Sequence, residues 1–344
     1  MKAQNTRVLP FGDEAIGQAA RLIRSGEPVA VPTETVYGLA ADATDEHAVA
    51  RIYAAKGRPS FNPLIVHVES LAQAERLGIF SAPARVLADA FWPGALTLVV
   101  PVRSDSGLAA AVTAGLGTVA LRCPAHPAMR RLLAESERPL AAPSANASGG
   151  ISPTRAGHVL SSLAGRIPLI LDGGPTERGL ESTIVALEDG RVRLLRPGPI
   201  SLEDVEAALS LPAQRGDGAE RSPPGAASAA ARTSVAAPRL PSGAERIEAP
   251  GQLASHYAPA KPLRLEAGSA EPGEWLIGFG AVDGDDNLSP SGNLEEAASR
   301  LFDALHRADA RPHARIAVAP IPSEGIGVAI NDRLRRAAAP RGVD

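Results

Sequence analysis

The sequence holds a single cysteine, Cys123, among 344 residues. That excludes an internal disulfide framework and any cysteine-rich zinc site, and it suits a reducing cytoplasm. No run approaches the ~20 consecutive apolar residues that span a bilayer. The opening "MKAQNTRVLPFGDEAIGQ" has no signal-peptide apolar block. A soluble, cytoplasmic protein without membrane contact is expected. Net charge is only −3, which argues against wholesale electrostatic binding of nucleic acid or anionic lipid and leaves room for a local basic pocket. Several chemical signatures are also missing. There is no G-x-x-x-x-G-K-[ST] phosphate loop, no G-x-S-x-G elbow and no metal-like histidine spacing. "GFG" at 278–280 is too short for a dinucleotide fingerprint, and "GIGVA" at 325–329 does not follow a strand.

What is present reads as globular. Apolar residues make up 44% and charged residues 21%, and the length suits about two domains on the ~150-residue prior. Apolar residues at helical spacing predict a helix over 13–24 with Asp13 as N-cap, and Thr44 or Asp45 can cap a second helix through Ala55. Strands are expected at "EPVAVPT", 64–68, 96–102, 118–121, 140–142, 167–171, 182–187 and 192–195. Helices are expected near 70–78, 82–91, 126–135 and 154–163. This mixture predicts an α/β domain with a twisted mixed sheet over 1–209. Residues 210–245, rich in Ala, Pro, Ser, Gly and Arg without apolar period, read as a flexible linker. Order resumes at 246–260 around "APGQLASHYAP". A smaller α/β domain follows over 261–344, with helices at 294–306 and 326–338.

Five segments carry candidate chemistry, each with a bland reading beside it. "VPTETVYGLAADA" sets Thr33, Thr35 and Tyr37 around a strand exit, where alternate hydroxyls line one face of a pocket or of a half-buried edge strand. "KGRPSFNPLIVHV" offers Lys56 as a point charge and Arg58 as a planar fork, a complementary pair for phosphate or carboxylate oxygens. The alternative is a solvated helix end capped by Gly57. It explains Lys56 well, but Arg58 and Asn62, braced by Pro59 and Pro63, less well. His67 on its strand fits a core histidine equally. Arg122 closes a strand, as a ligand-carboxylate site or a structural ion pair would. "PLAAPSANASGGISPT" is a strand, a small-residue turn and a helix start, a weak anion-site pattern. "LESTIVALEDGRVRLLRPGPI" reads as a hairpin turning at 189–190, which would bring Ser182 near Arg196.

In this order, "PTETVYGL", "KGRPSFNPLIVHV", "RCP", "PSANASGGISPT", "ESTIV" and "LRPG" resemble the YrdC-like family. With "APGQLASHYAP" and "GIGVAINDRLRRAA" the chain is similar to the longer, two-domain threonylcarbamoyl-adenylate synthases, apart from 210–245. The resemblance implies a YrdC-like catalytic domain, a small Rossmann-like C-terminal domain, and the substrates L-threonine, bicarbonate and ATP with Mg2+. It assigns Lys56, Arg58, Asn62, Thr118, Ser144, Asn146, Ser152 and Arg196 to ATP and the bicarbonate-derived group, with Lys56 and Arg58 catalytic. Thr35, His67, Arg122, Ala142 (through its backbone) and Ser182 would hold threonine, Arg122 pairing with its carboxylate. No metal ligand is assigned to a protein side chain. Residues 246–260, with His256 and Tyr257, would form a lid, and one departure lies there: Gln252 stands where the family often has Met. The product would pass to a complex that modifies tRNA, with no stable nucleic-acid binding by this chain. An RNA-binding module fits the acidic balance poorly. A carbamoyl-transfer protein of the hydrogenase-maturation type would need cysteines this chain lacks.

Overall fold

A computed structural model describes residues 5–188, 191–210, 235–236 and 248–340. The expected hairpin turn at 189–190 and most of the expected linker, 211–234 and 237–245, lie outside the described residues, as do 246–247 of the expected lid. The first part of the chain runs β1 (Arg7–Pro10), α1 (Asp13–Arg24), β2 (Val29–Pro32), β3 (Tyr37–Asp42), α2 (Glu46–Lys56), β4 (Ile65–His67), α3 (Leu71–Leu77), α4 (Ala82–Phe91) and β5 (Leu96–Pro101). It continues with α5 (Ala110–Thr113), β6 (Thr118–Arg122), α6 (Pro127–Ser136), β7 (Leu140–Ala141), α7 (Ala156–Leu163), β8 (Leu169–Asp172), β9 (Thr183–Glu188), β10 (Arg191–Arg196) and α8 (Leu202–Ser210). With β11 (Val235–Ala236), eleven strands among the described residues make one mixed sheet in the order β1-β8-β2-β3-β7-β4-β6-β5-β9-β10-β11. Two residues of the expected linker therefore pair with the sheet edge.

The second part runs β12 (Leu263–Arg264), β13 (Glu274–Gly278), β14 (Asp286–Asn287), α9 (Leu294–Asp309), β15 (Arg315–Val318) and α10 (Gly327–Ala338). Its four described strands are all parallel, in the order β12-β15-β13-β14, the Rossmann-like pattern expected. Leu301, Phe302, Leu305, Ile330 and Leu334, on the inner faces of α9 and α10, build its core. The same apolar cluster takes in Val36, Ile151 and Leu180 from the first domain and Tyr257 from the intervening segment. Burying that shared surface, at ~25 cal/mol per Å² of apolar area, fastens the small domain onto the large one.

Local chemistry explains most boundaries. Asp45 caps α2 by accepting the His47 and Ala48 amides, and Gly57 ends it in the left-handed region at φ 60°. Three expectations move. Asp13 is the first helical residue of α1, behind Gly12, and its carboxylate favours the helix dipole rather than capping. Residues 33–36 are the tight connection of an antiparallel pair, β2 with β3, inside the sheet rather than at its edge. The helix expected from 154 begins at Ala156.

Candidate active site

Strand order places most of the expected residues around one cavity. β4 lies between β6 and β7, with His67 in register with Arg122 on one side and Leu140 on the other. The β9–β10 hairpin brings Arg196 back to Ser182, whose carbonyl accepts Nη2 at 2.9 Å and whose hydroxyl accepts it at 3.1 Å. The cavity is lined by Thr35, Arg58, His67, Arg122, Ala142, Ser144, Ser182 and Arg196 from the first domain, and by Pro250, Gly251, His256 and Tyr257 from the segment expected to be a lid.

Five expected residues do not line it. Lys56, Asn62 and Asn146 stand immediately behind as supports. Lys56 is buried, and its ammonium donates to the Ser144 and Asn146 carbonyls at 2.5 Å each. The solvated-helix-end reading therefore fails for it. Asn62 accepts Arg58 Nη2 on its Oδ1 at 2.6 Å, while its own carbonyl and that of Pro63 take further guanidinium donors. Ser152 is fully buried and donates to Glu181. Thr118 begins β6 opposite Pro101, part-exposed.

The electrostatics are lopsided. Lys56, Arg58 and Arg196 form no ion pair with any described residue; their partners are carbonyl and amide or hydroxyl oxygens. Burial pushes the Lys56 ammonium well below its ordinary range, and the Arg58 charge adds to this. Burial likewise brings Arg58 down to about 10 and lowers Arg196. Such displacement marks groups that would gain by acquiring an anion. His67 is driven to about 3 by burial and then by Arg122, so it is a neutral imidazole, and its Nδ1 has no partner.

Arg122 differs. It was expected to meet a ligand carboxylate, and it already has one in Glu34, at 2.5 Å, besides donating to Thr35 Oγ1 at 2.9 Å and the Gly94 carbonyl at 3.1 Å. Burial alone would raise the Glu34 carboxyl, but Arg122 outweighs it and the group is lowered. Of the two readings made from sequence, the structure shows the internal ion pair. Nη1 and Nη2 each keep a second hydrogen for a further acceptor.

Three supporting residues escaped the sequence reading. Glu34 pairs with Arg122, Thr97 shares a 2.7 Å hydroxyl contact with Ser182, and Glu181 joins Ser152 to Arg333 on α10. A signal existed for Glu34 and Glu181, since a carboxylate inside a buried hydroxyl-rich motif needs a partner. Thr97, within an apolar strand, gave none. The segment expected to be a lid is held from several sides. Ala258 N–H donates to the Gly149 carbonyl at 2.8 Å, and Arg336 binds the Leu253 carbonyl at 2.7 Å. Gln252, the departure from the family pattern, accepts the Glu248 and Ala249 amides on its Oε1 and closes the turn that enters the segment. Among the described residues no group of three His, Cys, Asp or Glu is placed to hold a metal, and no helix is long and apolar enough to cross a membrane.

Comparison with known proteins agrees along the whole chain. A family model described as telomere recombination (Sua5/YciO/YrdC) matches residues 21–198, and one described as the C-terminal domain of threonylcarbamoyl-AMP synthase matches 200–339. The chain is 41% identical to the threonylcarbamoyl-AMP synthase of Bacillus subtilis, over 98% of this chain and 96% of that protein. To the synthase of Pyrococcus abyssi it is 40% identical, over 94% of each. The crystal structure of P. abyssi Sua5 complexed with L-threonine superimposes with a TM-score of 0.82 at 37% identity, covering 97% of both chains. The chain belongs to the Sua5/YrdC family and carries both domains of its full-length threonylcarbamoyl-AMP synthases.

Proposed function

We infer that this protein makes L-threonylcarbamoyl-adenylate from L-threonine, bicarbonate (or carbon dioxide) and ATP, releasing pyrophosphate, as the first step of threonylcarbamoyl-adenosine modification of tRNA beside the anticodon. The observation that carries this reading is the set of three buried cations, Lys56, Arg58 and Arg196, gathered at one cavity without a carboxylate partner. A triphosphate supplies the missing negative charge. The related P. abyssi structure holds L-threonine, and the neutral wall of Thr35, His67 and Ser182 beside Arg122 suits an amino acid with a hydroxyl.

In this reading the threonine amine first takes up the bicarbonate carbon as a carbamate, with loss of water. A carbamate oxygen then attacks the α-phosphorus, and the bond to the bridging oxygen breaks as pyrophosphate leaves with the electron pair. Arg122 donates its remaining hydrogens to the threonine carboxylate, held in plane by Glu34. Thr35, Ser182 and the Ala142 backbone orient the amine and hydroxyl, and neutral His67 offers Nδ1 without adding a charge. Lys56 and Arg58 neutralise charge where carbamate and phosphates meet, Arg196 lies on the nucleotide side, and no enzyme nucleophile is required. Mg2+ enters with ATP as part of the substrate, on the phosphates. Glu181, the cavity's lining carboxylate, is already engaged by Ser152 and Arg333.

The lid makes the labile intermediates possible. Free space in the cavity as it stands is about 50 Å³, room for only a few waters at roughly 10–15 Å³ each. ATP and threonine therefore enter only when residues 250–257 swing away, and closure then excludes bulk water. Product would pass in the cytoplasm to a tRNA-modifying complex. The test is pyrophosphate release with threonine, bicarbonate and ATP each omitted in turn. Release that requires all three is expected. Release indifferent to threonine, or tRNA binding without turnover, would overturn the reading.

A further inference from the structure

α10 carries a fully buried arginine to a place directly behind two residues that line the cavity. Arg333 donates through Nε to Glu181 Oε2 at 2.8 Å and through Nη1 to Asp332 Oδ2 at 2.8 Å. Its guanidinium carbon lies 5.2 Å from the centroid of the Tyr257 ring, in cation–π range. The other oxygen of Glu181 takes the Ser152 hydroxyl. One turn along, Arg336 bonds Asp332 and the Leu253 carbonyl, and its own carbonyl accepts the His256 amide at 3.2 Å. One helix of the small domain thus touches both the catalytic wall and the lid.

A buried ion pair is a poor device for stability alone, because desolvation offsets most of the Coulomb attraction. Its merit is geometric. A guanidinium is a rigid fork with a flat face, so one group fixes a carboxylate in its plane and an aromatic ring against its face. Glu181 and Tyr257 are both cavity-lining groups. We propose that Arg333 is a positioning residue for the reaction: it holds Glu181, and through it Ser152, together with the lid residue Tyr257 in the closed arrangement, so the small domain takes part in catalysis. This rests on the reading of the cavity as the ATP and threonine site.

The test uses the full-length chain as wild type, Arg333→Met, Arg333→Lys, Glu181→Gln and the double variant Arg333→Met with Glu181→Gln. Two readouts are taken, the steady-state constants of threonine-dependent pyrophosphate release and the rate of chymotryptic cleavage after Tyr257, which is 1% exposed when the lid is shut. Arg333→Met should raise the KM for ATP about tenfold, the effect of one lost charge-assisted hydrogen bond, with a smaller change in kcat and faster cleavage after Tyr257. Arg333→Lys should restore only part of this, since charge returns without the fork. The double variant should be no worse than Arg333→Met, because both changes remove the same link. Kinetic constants within twofold of wild type for Arg333→Met, or losses that multiply in the double variant, would overturn the proposal. If Arg333→Met does not fold, Arg333→Lys with and without Glu181→Gln is judged by the same criteria. A wild type that releases no pyrophosphate sinks the functional reading instead, and the cleavage assay alone then decides whether Arg333 holds the lid.

Discussion

Most half-buried arginines of the small domain and three buried cations beside the cavity of the large domain are treated in opposite ways. In the small domain the half-buried arginines face carboxylates, Arg264 with Glu274 at 2.6 Å, Arg307 with Asp286 at 2.6 Å and also with Asp303, Arg336 with Asp332 at 3.1 Å, while half-buried Lys261 donates to the Ala308 and Arg311 carbonyls. In the large domain Lys56, Arg58 and Arg196 are more deeply buried and meet only neutral oxygens. Arg122, in the same cavity, is matched by Glu34. A compensated cation fixes geometry; an uncompensated one leaves the folded state incomplete until an anion arrives.

Removing compensation should hurt stability first. Glu34→Ala strips Arg122 of its partner inside the protein and should cost about 3–5 kcal/mol of unfolding free energy, measured by urea denaturation. A loss under 1 kcal/mol would mean that solvent reaches the pair and that the contrast is overstated. Removing an uncompensated cation should hurt activity instead. Arg58→Met should reduce pyrophosphate release by roughly 10²–10³-fold while its urea midpoint stays near wild type, and parallel losses in both would blur the distinction. Thr97→Val removes the hydroxyl that steadies Ser182. We expect about 1 kcal/mol, read as a several-fold rise in the KM for threonine with the KM for ATP unchanged; a shift confined to ATP would put Ser182 on the other substrate.

The smallest effect concerns pH. His67 is brought from 6.5 to about 3 by burial, then by Arg122. Between those values the unfolded chain binds a proton that the folded chain refuses. Stability is therefore full above 6.5 and is lost as pH falls toward 3, by at most ~1.4 kcal/mol per pH unit for this group. His67→Gln should flatten the acid limb of the stability profile relative to wild type, and parallel limbs would show that His67 takes up its proton in the folded state.

Much of this was legible in the sequence because it is local. Periodicity marked the strands and helices, Gly57 and Asp45 marked the ends of α2, and a strand–turn–strand pattern was enough to bring Ser182 to Arg196. The missed partners are long-range, although strand β3 and helix α8 were missed as well. Glu34 meets Arg122 across 88 positions and Glu181 meets Arg333 across 152, and no spacing rule reports such a partner. The edge strand β1 was missed because only four residues pair with β8, and two of them are Arg7 and Pro10. Arg122 shows the limit best, since its position at a strand exit suited ligand binding and an internal ion pair alike, and only the folded chain reveals Glu34 beside it.

The central claim is that the uncompensated cations await a polyanion, and Lys56→Met tests it most directly. The measurement is the thermal midpoint of wild type and variant, each with and without ATP and Mg2+. The account predicts a ligand-free midpoint for Lys56→Met equal to or above that of wild type, together with loss of the upward shift that ATP gives wild type. A lower ligand-free midpoint with the ATP shift intact would contradict it, and Lys56 would then be a structural cation after all.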